Sequence, residues 1–274
     1  MRSPSSQVFG TSAADSKLDP LSAAAAAVSR QLPRGWLDLF RQLLIWFGFA
    51  LAYQLARGVA DRDDRAAFDN ARGIIDLERR ATGLWELSLQ SWAESSYSVA
   101  VSMQWTYWLS QFAVVGIALL WVYLRRHESF IRFRNVLMLA NVIGLVGYVL
   151  LPTAPPRMLP EFGFSDTLAS LGAPNHGSSF IQLASNPYAA MPSLHSADAL
   201  IVGIALAVFV RSWIMKAICL AWPIWVWISV MATGNHFWLD IAAGILVAGI
   251  AAPIVYRDEV RRFFARRSTP VAAT

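Results

Sequence analysis

The 274 residues are 56% hydrophobic and only 15% charged, with twelve tryptophans and a mean hydropathy of +0.43. A soluble chain carries about a quarter of its residues as charges, and tryptophan concentrates at membrane–water interfaces, so the composition excludes an ordinary soluble enzyme and indicates an all-α, polytopic membrane protein. The net charge of +5 does not indicate nucleic acid, because the cations fall in short stretches beside apolar runs, as the positive-inside rule expects.

Residues 1–35 are rich in Ser, Ala and Pro, and the Ala23–Ala27 run has no apolar core before a cleavage site. They read as a disordered cytoplasmic tail rather than a signal peptide. A membrane domain follows over 36–267, and 268–274 read as a second disordered tail. The first apolar run is Trp36 to Ala56. Between Arg57 and Trp105 come six Arg and eight Asp or Glu, with Ala66, Ala71, Ile74, Ile75, Leu77, Leu84, Leu87 and Leu89 near helical spacing and Gly83 interrupting them. This pattern predicts short helices lying on the membrane surface over 57–104. The charged patch Leu77-Glu78-Arg79-Arg80 reads as solvated surface, with contact to an anionic headgroup as the minority reading.

The second run, Trp105 to Leu124, ends in a basic loop with Arg125, Arg126, His127, Arg132 and Arg134. The third, Val136 to Leu151, stops at Pro152-Thr153-Ala154-Pro155-Pro156-Arg157, because proline lacks the N–H a helix needs. A polar loop over 153–192 leads to the fourth run, Ser193 to Trp213. The fifth, Ala217 to Thr233, and sixth, Phe237 to Tyr256, follow, and an Arg-rich tail closes the domain. Alternating six crossings from an inside N-terminus puts the basic stretches and both termini in the cytoplasm. Loops 57–104, 153–192 and 234–237 then lie outside. Arg157, Ser193, His195, His236 and Asp240 all fall at that outer face.

Asn235-His236 and Asp240 come first among these. If the sixth helix begins near His236, the histidine and aspartate are four apart and share a face. A carboxylate there fixes the ring tautomer and leaves the other nitrogen nucleophilic. The same pair also reads as a structural helix cap. In Pro192-Ser193-Leu194-His195, proline suits the first helical position. The Ser193 and Leu194 amides with the Ser193 hydroxyl would then face an anion, and His195 could protonate a leaving oxygen. Arg157, on the side where positive charge is disfavoured, would be a bidentate phosphate ligand. Together these residues predict phosphoryl transfer through His236. Asp198, one turn after His195, reads mainly as a local polar partner within the bundle. Asn141 and Tyr148 could line the same cleft.

Pro-Ser-Leu-His followed by His-x-x-x-Asp resembles the type 2 phosphatidic acid phosphatase (PAP2) superfamily, over about Tyr148 to Gly244. The Leu194 variant and the Pro-Thr-Ala-Pro-Pro-Arg stretch are similar to its inositol phosphorylceramide synthase-like branch. The resemblance implies a six-helix membrane bundle, with His236 as nucleophile, His195 as general acid and no metal or organic cofactor. The implied substrate is a lipid phosphate, and the acceptor is water or an alcohol. Two departures stand out. The family's first motif has a Lys besides the Arg, and its third motif has an Arg where this chain has Val230. Arg79, Arg80 and His176 are the candidates to supply the missing charge. Two other readings compete: a metal-dependent oxidase or hydrolase built on His195, His236 and Asp240, and a non-catalytic lipid-binding membrane protein.

Overall fold

The computed structural model describes residues 32–59, 63–167 and 186–267. The two predicted tails and the His176 stretch lie outside these residues, apart from the few at 32–35. The described residues are helical, and one isolated bridge between Thr153 and Ala189 is the nearest approach to a sheet among them. Among the described residues, five helical stretches are long and apolar enough to cross a membrane. A further apolar helix, Leu194–Phe209, is shorter.

The first helix, α1 (Gly35–Val59), spans a division of the chain into two units, one ending at Leu43 and the other starting at Leu44. Within the first unit, Gln42 Nε2 donates to Asp38 Oδ1 at 3.2 Å, so the aspartate near the helix start is met locally.

In the second unit, α2 (Asp64–Ala81) and α3 (Glu86–Glu94) are separated at Gly83, as the sequence pattern predicts. Asp63 caps α2 by accepting from the Ala66 N–H. The apolar stripe of α2 is buried against the protein itself: Ala67, Ala71, Ile74 and Ile75 pack with Ala154, Leu159, Phe164 and Phe237. The solvated-surface reading of the 77–80 patch fails at one residue. Leu77, Arg79 and Arg80 are exposed, but Glu78 is fully buried.

Next, α4 (Tyr97–Leu109), a π-helical turn (Ser110–Val114) and α5 (Val115–Arg125) run on as one rod. It begins eight residues before the predicted Trp105, because the polar residues Ser98, Ser102 and Gln104 interrupt the apolar run without breaking the helix. The predicted basic loop collapses to Arg126 alone, since α6 (His127–Leu150) starts at once. His127 consequently packs on Tyr123 and Phe130 instead of lying in solvent.

The hub is α7 (Leu194–Phe209), which packs on α5, α6, α8 (Trp213–Ala232) and α9 (Trp238–Val255). Its small residues, among them Ser196, Ala197, Ala199 and Gly203, are buried and let neighbouring backbones close in. Ser193, not Pro192, sets the start of α7. Its hydroxyl accepts from the Ser196 N–H, the preferred capping geometry, so Pro192 falls before the cap. At the far end, Arg126 donates to the Phe209 carbonyl at 2.8 Å, and Arg132 pairs at 2.7 Å with Glu259 on α10 (Arg257–Arg267). The basic corners therefore gather at the end of the bundle opposite the starts of α7 and α9.

Candidate active site

His236 and Asp240 meet, though not as neighbours on one helical face. Phe237 is the N-cap of α9, so His236 lies outside the helix. Asp240, in the first turn, reaches back: its Oδ2 accepts from the Phe237 N–H at 2.9 Å and lies 3.3 Å from His236 Nδ1. One carboxylate oxygen thus caps the helix and orients the imidazole. Asp240 is fully buried, and its Oδ1 has no hydrogen-bond partner among the described residues. The preceding turn fixes the ring from the other side. Asn235 and His236 both donate their N–H to the Val230 carbonyl, at 3.0 and 3.1 Å. Gly234 takes φ +65°, and a Cβ there would lie 2.9 Å from the Ser165 carbonyl, so only glycine fits.

The start of α7 is bolted to the start of α9. The Ser193 N–H donates to the Asp240 carbonyl at 2.9 Å, and Ser196 Oγ donates to the Ile241 carbonyl at 3.1 Å. The approach is so close that a Cβ at Gly244 would collide with the Ser193 carbonyl. This brings the His195 and His236 rings to 5.7 Å between centroids, with His195 stacked on Tyr107 at 4.5 Å. The amides expected to face an anion are spent otherwise: Ser193 on Asp240, and Leu194 toward the Tyr148 hydroxyl.

Arg157 is held by the same turn. Its backbone N–H donates to the Gly234 carbonyl at 2.8 Å, and its guanidinium donates to Asn235 Oδ1. Asn235 is oriented in turn by Thr233 Oγ1 at 2.8 Å. Arg157, Tyr148, Leu194, His195, Asn235 and His236 line one cavity of about 560 Å³, ample for a headgroup beyond a phosphate. Burial first, and then the Arg157 guanidinium, lower the His236 pKa to about 3, while the Ala190 carbonyl facing the ring works the other way. His236 is therefore neutral across the physiological range.

Asp198 stands apart. It accepts from Asn141 Nδ2 at 3.0 and 3.3 Å, so both serve the bundle interior rather than the cavity wall. Arg79 lies over the Phe162 ring at 5.0 Å and, like Arg80, does not line the cavity. Val230 is fully buried with Ala199, Val226, Met231 and Ile241, an apolar cluster with no outlet for a charge. Among the described residues, no three His, Cys, Asp or Glu side chains converge to hold a metal ion.

Three residues escaped sequence reasoning. Glu86 and Glu78, fully buried, accept from the Trp238 and Leu239 N–H groups at 2.9 and 3.0 Å. They close the open amides of α9 from outside. Burial, and then the nearness of Glu86, push the Glu78 pKa up, and burial raises that of Glu86. The raised values favour a proton held on the pair. The sequence signal was present in the α2 periodicity, since Ile74, Ile75 and Glu78 share a face. The third residue is Arg57, from the last turn of α1, which also lines the cavity.

These features describe a helical membrane protein with a two-histidine, carboxylate-backed site at one end of its bundle. Residues 72–254 match the PAP2 superfamily, and the chain belongs to that family. It is similar to the phosphoinositol dihydroceramide synthase of Bacteroides thetaiotaomicron, at 23% identity over 189 residues, 64% of this chain. The match spans 60% of that relative's length. Aquifex aeolicus LpxE is a similar crystal structure, at 18% identity and a TM-score of 0.46, covering 68% of this chain and 94% of LpxE. The family read from the two histidine motifs is the family found.

Proposed function

We propose that the protein is a membrane lipid phosphatase or phosphotransferase that works through a phosphohistidine on His236. The observation that carries this reading is the pair of histidine rings at one cavity, 5.7 Å apart, with Arg157 beside them and Asp240 behind His236. The neutral His236 nitrogen attacks phosphorus, and the bond from phosphorus to the leaving oxygen breaks. His195, as imidazolium, gives that oxygen its proton. Asp240 meets the charge that appears on the His236 ring, and Arg157 holds phosphoryl oxygens. Neutral His195 then takes the proton of an acceptor hydroxyl. The acceptor oxygen bonds to phosphorus, the P–N bond breaks, and both histidines end as they began.

Water as acceptor makes the protein a phosphatase; a lipid or polyol alcohol makes it a transferase. The name of the Bacteroides relative supports the second, with a phosphodiester headgroup as the group carried. The membrane is crossed six times in this reading, with α7 as the additional crossing. Its 16 residues span about 24 Å, short of the roughly 30 Å hydrocarbon core, and the extended residues at either end make up the rest. Both termini lie in the cytoplasm with the basic corners, the cavity opens at the outer face, and α2 and α3 lie over it at the interface.

Purified protein should be incubated with labelled lipid phosphates and phosphodiesters, with and without inositol, other polyols and a lipid alcohol. Free phosphate identifies a phosphatase and a new phosphodiester a transferase. Turnover that is unchanged in His236→Ala, or lost on exhaustive chelation, sinks the reading.

A further inference from the structure

A phosphoryl group in transfer spreads charge over three equatorial oxygens, and one guanidinium fork spans two of them. Arg157 is one fork, and it is partly engaged by Asn235. At the start of α7 the Ser193, Leu194 and Ser196 amides are already bonded, Val230 is apolar, and Arg79 and Arg80 are away from the cavity. One further cation lines the cavity wall among the described residues: Arg57.

Its setting is that of a ligand rather than a membrane anchor. The guanidinium lies over the Tyr148 ring, 5.7 Å from its centroid, which orients the plane without using its N–H groups. Its Nε is buried and has no hydrogen-bond partner among the described residues. A guanidinium with a buried, unmet N–H at the end of an apolar helix is costly unless an anion arrives to meet it. Its field already reaches the reacting groups, since Arg57 is among the charges that favour neutral His236.

We propose that Arg57 is the second guanidinium that grips the transferring phosphoryl group. The inference rests on the phosphoryl-transfer reading of the site. It makes the end of α1 part of the active site and supplies the charge missing elsewhere in the chain.

The test uses full-length protein in detergent or nanodiscs, with orthovanadate and inorganic phosphate as probes. Arg57→Gln should weaken vanadate inhibition by about 10- to 100-fold and lower kcat/KM with it. Arg57→Lys should keep part of both. Added guanidinium should partly restore Arg57→Ala but not His236→Ala. If Arg57 only stacks on Tyr148, Arg57→Gln lowers the thermal midpoint and leaves vanadate inhibition within twofold of wild type, which overturns the proposal. Should Arg57→Gln fail to fold, phenylglyoxal modification of the wild type decides. Phosphate should protect Arg57 and Arg157 but not Arg79, and equal modification of Arg57 with and without phosphate overturns the proposal. Phosphate protection does not depend on turnover. A wild type that protects Arg57 yet turns over no lipid phosphate refutes the proposed activity while leaving this site standing.

Discussion

The backbone N–H of Ser193 donates to the backbone carbonyl of Asp240 at 2.9 Å. That bond joins the starts of α7 and α9, beside two histidines 41 positions apart in sequence, and it holds the two rings near each other. Its neighbour Gly244 is what permits the approach. Gly244→Ala must push α7 from α9, with an expected loss of about 1–3 kcal/mol of stability. Turnover should fall further than stability does, because the rings separate. Thermal unfolding and kcat measured on the same preparation check this; a variant that loses stability but keeps kcat contradicts the account.

Asp240 serves both the helix and the imidazole through one oxygen. Asp240→Asn keeps the shape and removes the charge that, in the proposed mechanism, favours the correct tautomer and meets the developing imidazolium. A fall in kcat of roughly 10²–10⁴ is expected, with the fold retained. Helical circular dichroism alongside kcat separates this outcome from unfolding.

Glu78 and Glu86 act on the same helix from α2 and α3. Replacing either with Ala opens a buried amide of α9 and should cost about 1–2 kcal/mol. Gln, which keeps an acceptor oxygen and needs no proton, should be tolerated. The sign with pH follows from the raised pKa values. The folded pair binds more protons than the unfolded chain above the ordinary carboxylate range, so this contribution weakens as pH rises from about 4–5. Glu78→Gln should flatten that decline in a melting-temperature series, and an unchanged slope would count against a shared proton.

His236 gives the opposite sign. Its pKa near 3 in the folded protein against about 6.5 unfolded means that the unfolded chain binds the extra proton between those values. Stability from this group is full above about 6.5 and drains as pH falls toward 3. His236→Asn should remove that acid-side loss in urea titrations at pH 7 and pH 5.

Val230→Arg would install the cation that the family pattern carries there. The side chain would enter an apolar cluster without an outlet, so the expected result is destabilisation by several kcal/mol and no gain in activity. A folded Val230→Arg variant with improved kcat/KM would show that the cluster opens toward the cavity.

Much of this was legible in the sequence, and its failures have physical causes. The two histidine motifs, the break at Gly83 and the Pro-rich stop at Arg157 follow from residue chemistry that acts over a few positions. Ser193 displaced Pro192 as the boundary residue because a hydroxyl satisfies an open amide, whereas proline only does without one. Periodicity put Glu78 on the face of Ile74 and Ile75 but gave no partner for it; the partner is the Leu239 amide, 161 positions later. Arg57 was hidden by its place at the end of an apolar run, where an arginine reads as a boundary marker. In the six-crossing reading Arg57 and Arg157 are alike, both cations on the side where cations are disfavoured.

The central claim is the covalent step on His236. Rapid quench of wild-type protein with a ³²P-labelled lipid phosphate or phosphodiester should trap acid-labile, base-stable phosphate on the chain. Peptide mapping should place it at His236, and it should vanish in His236→Ala and accumulate in His195→Ala with a substrate whose leaving group needs no proton. Turnover of that substrate with no labelled histidine at any quench time would contradict the account.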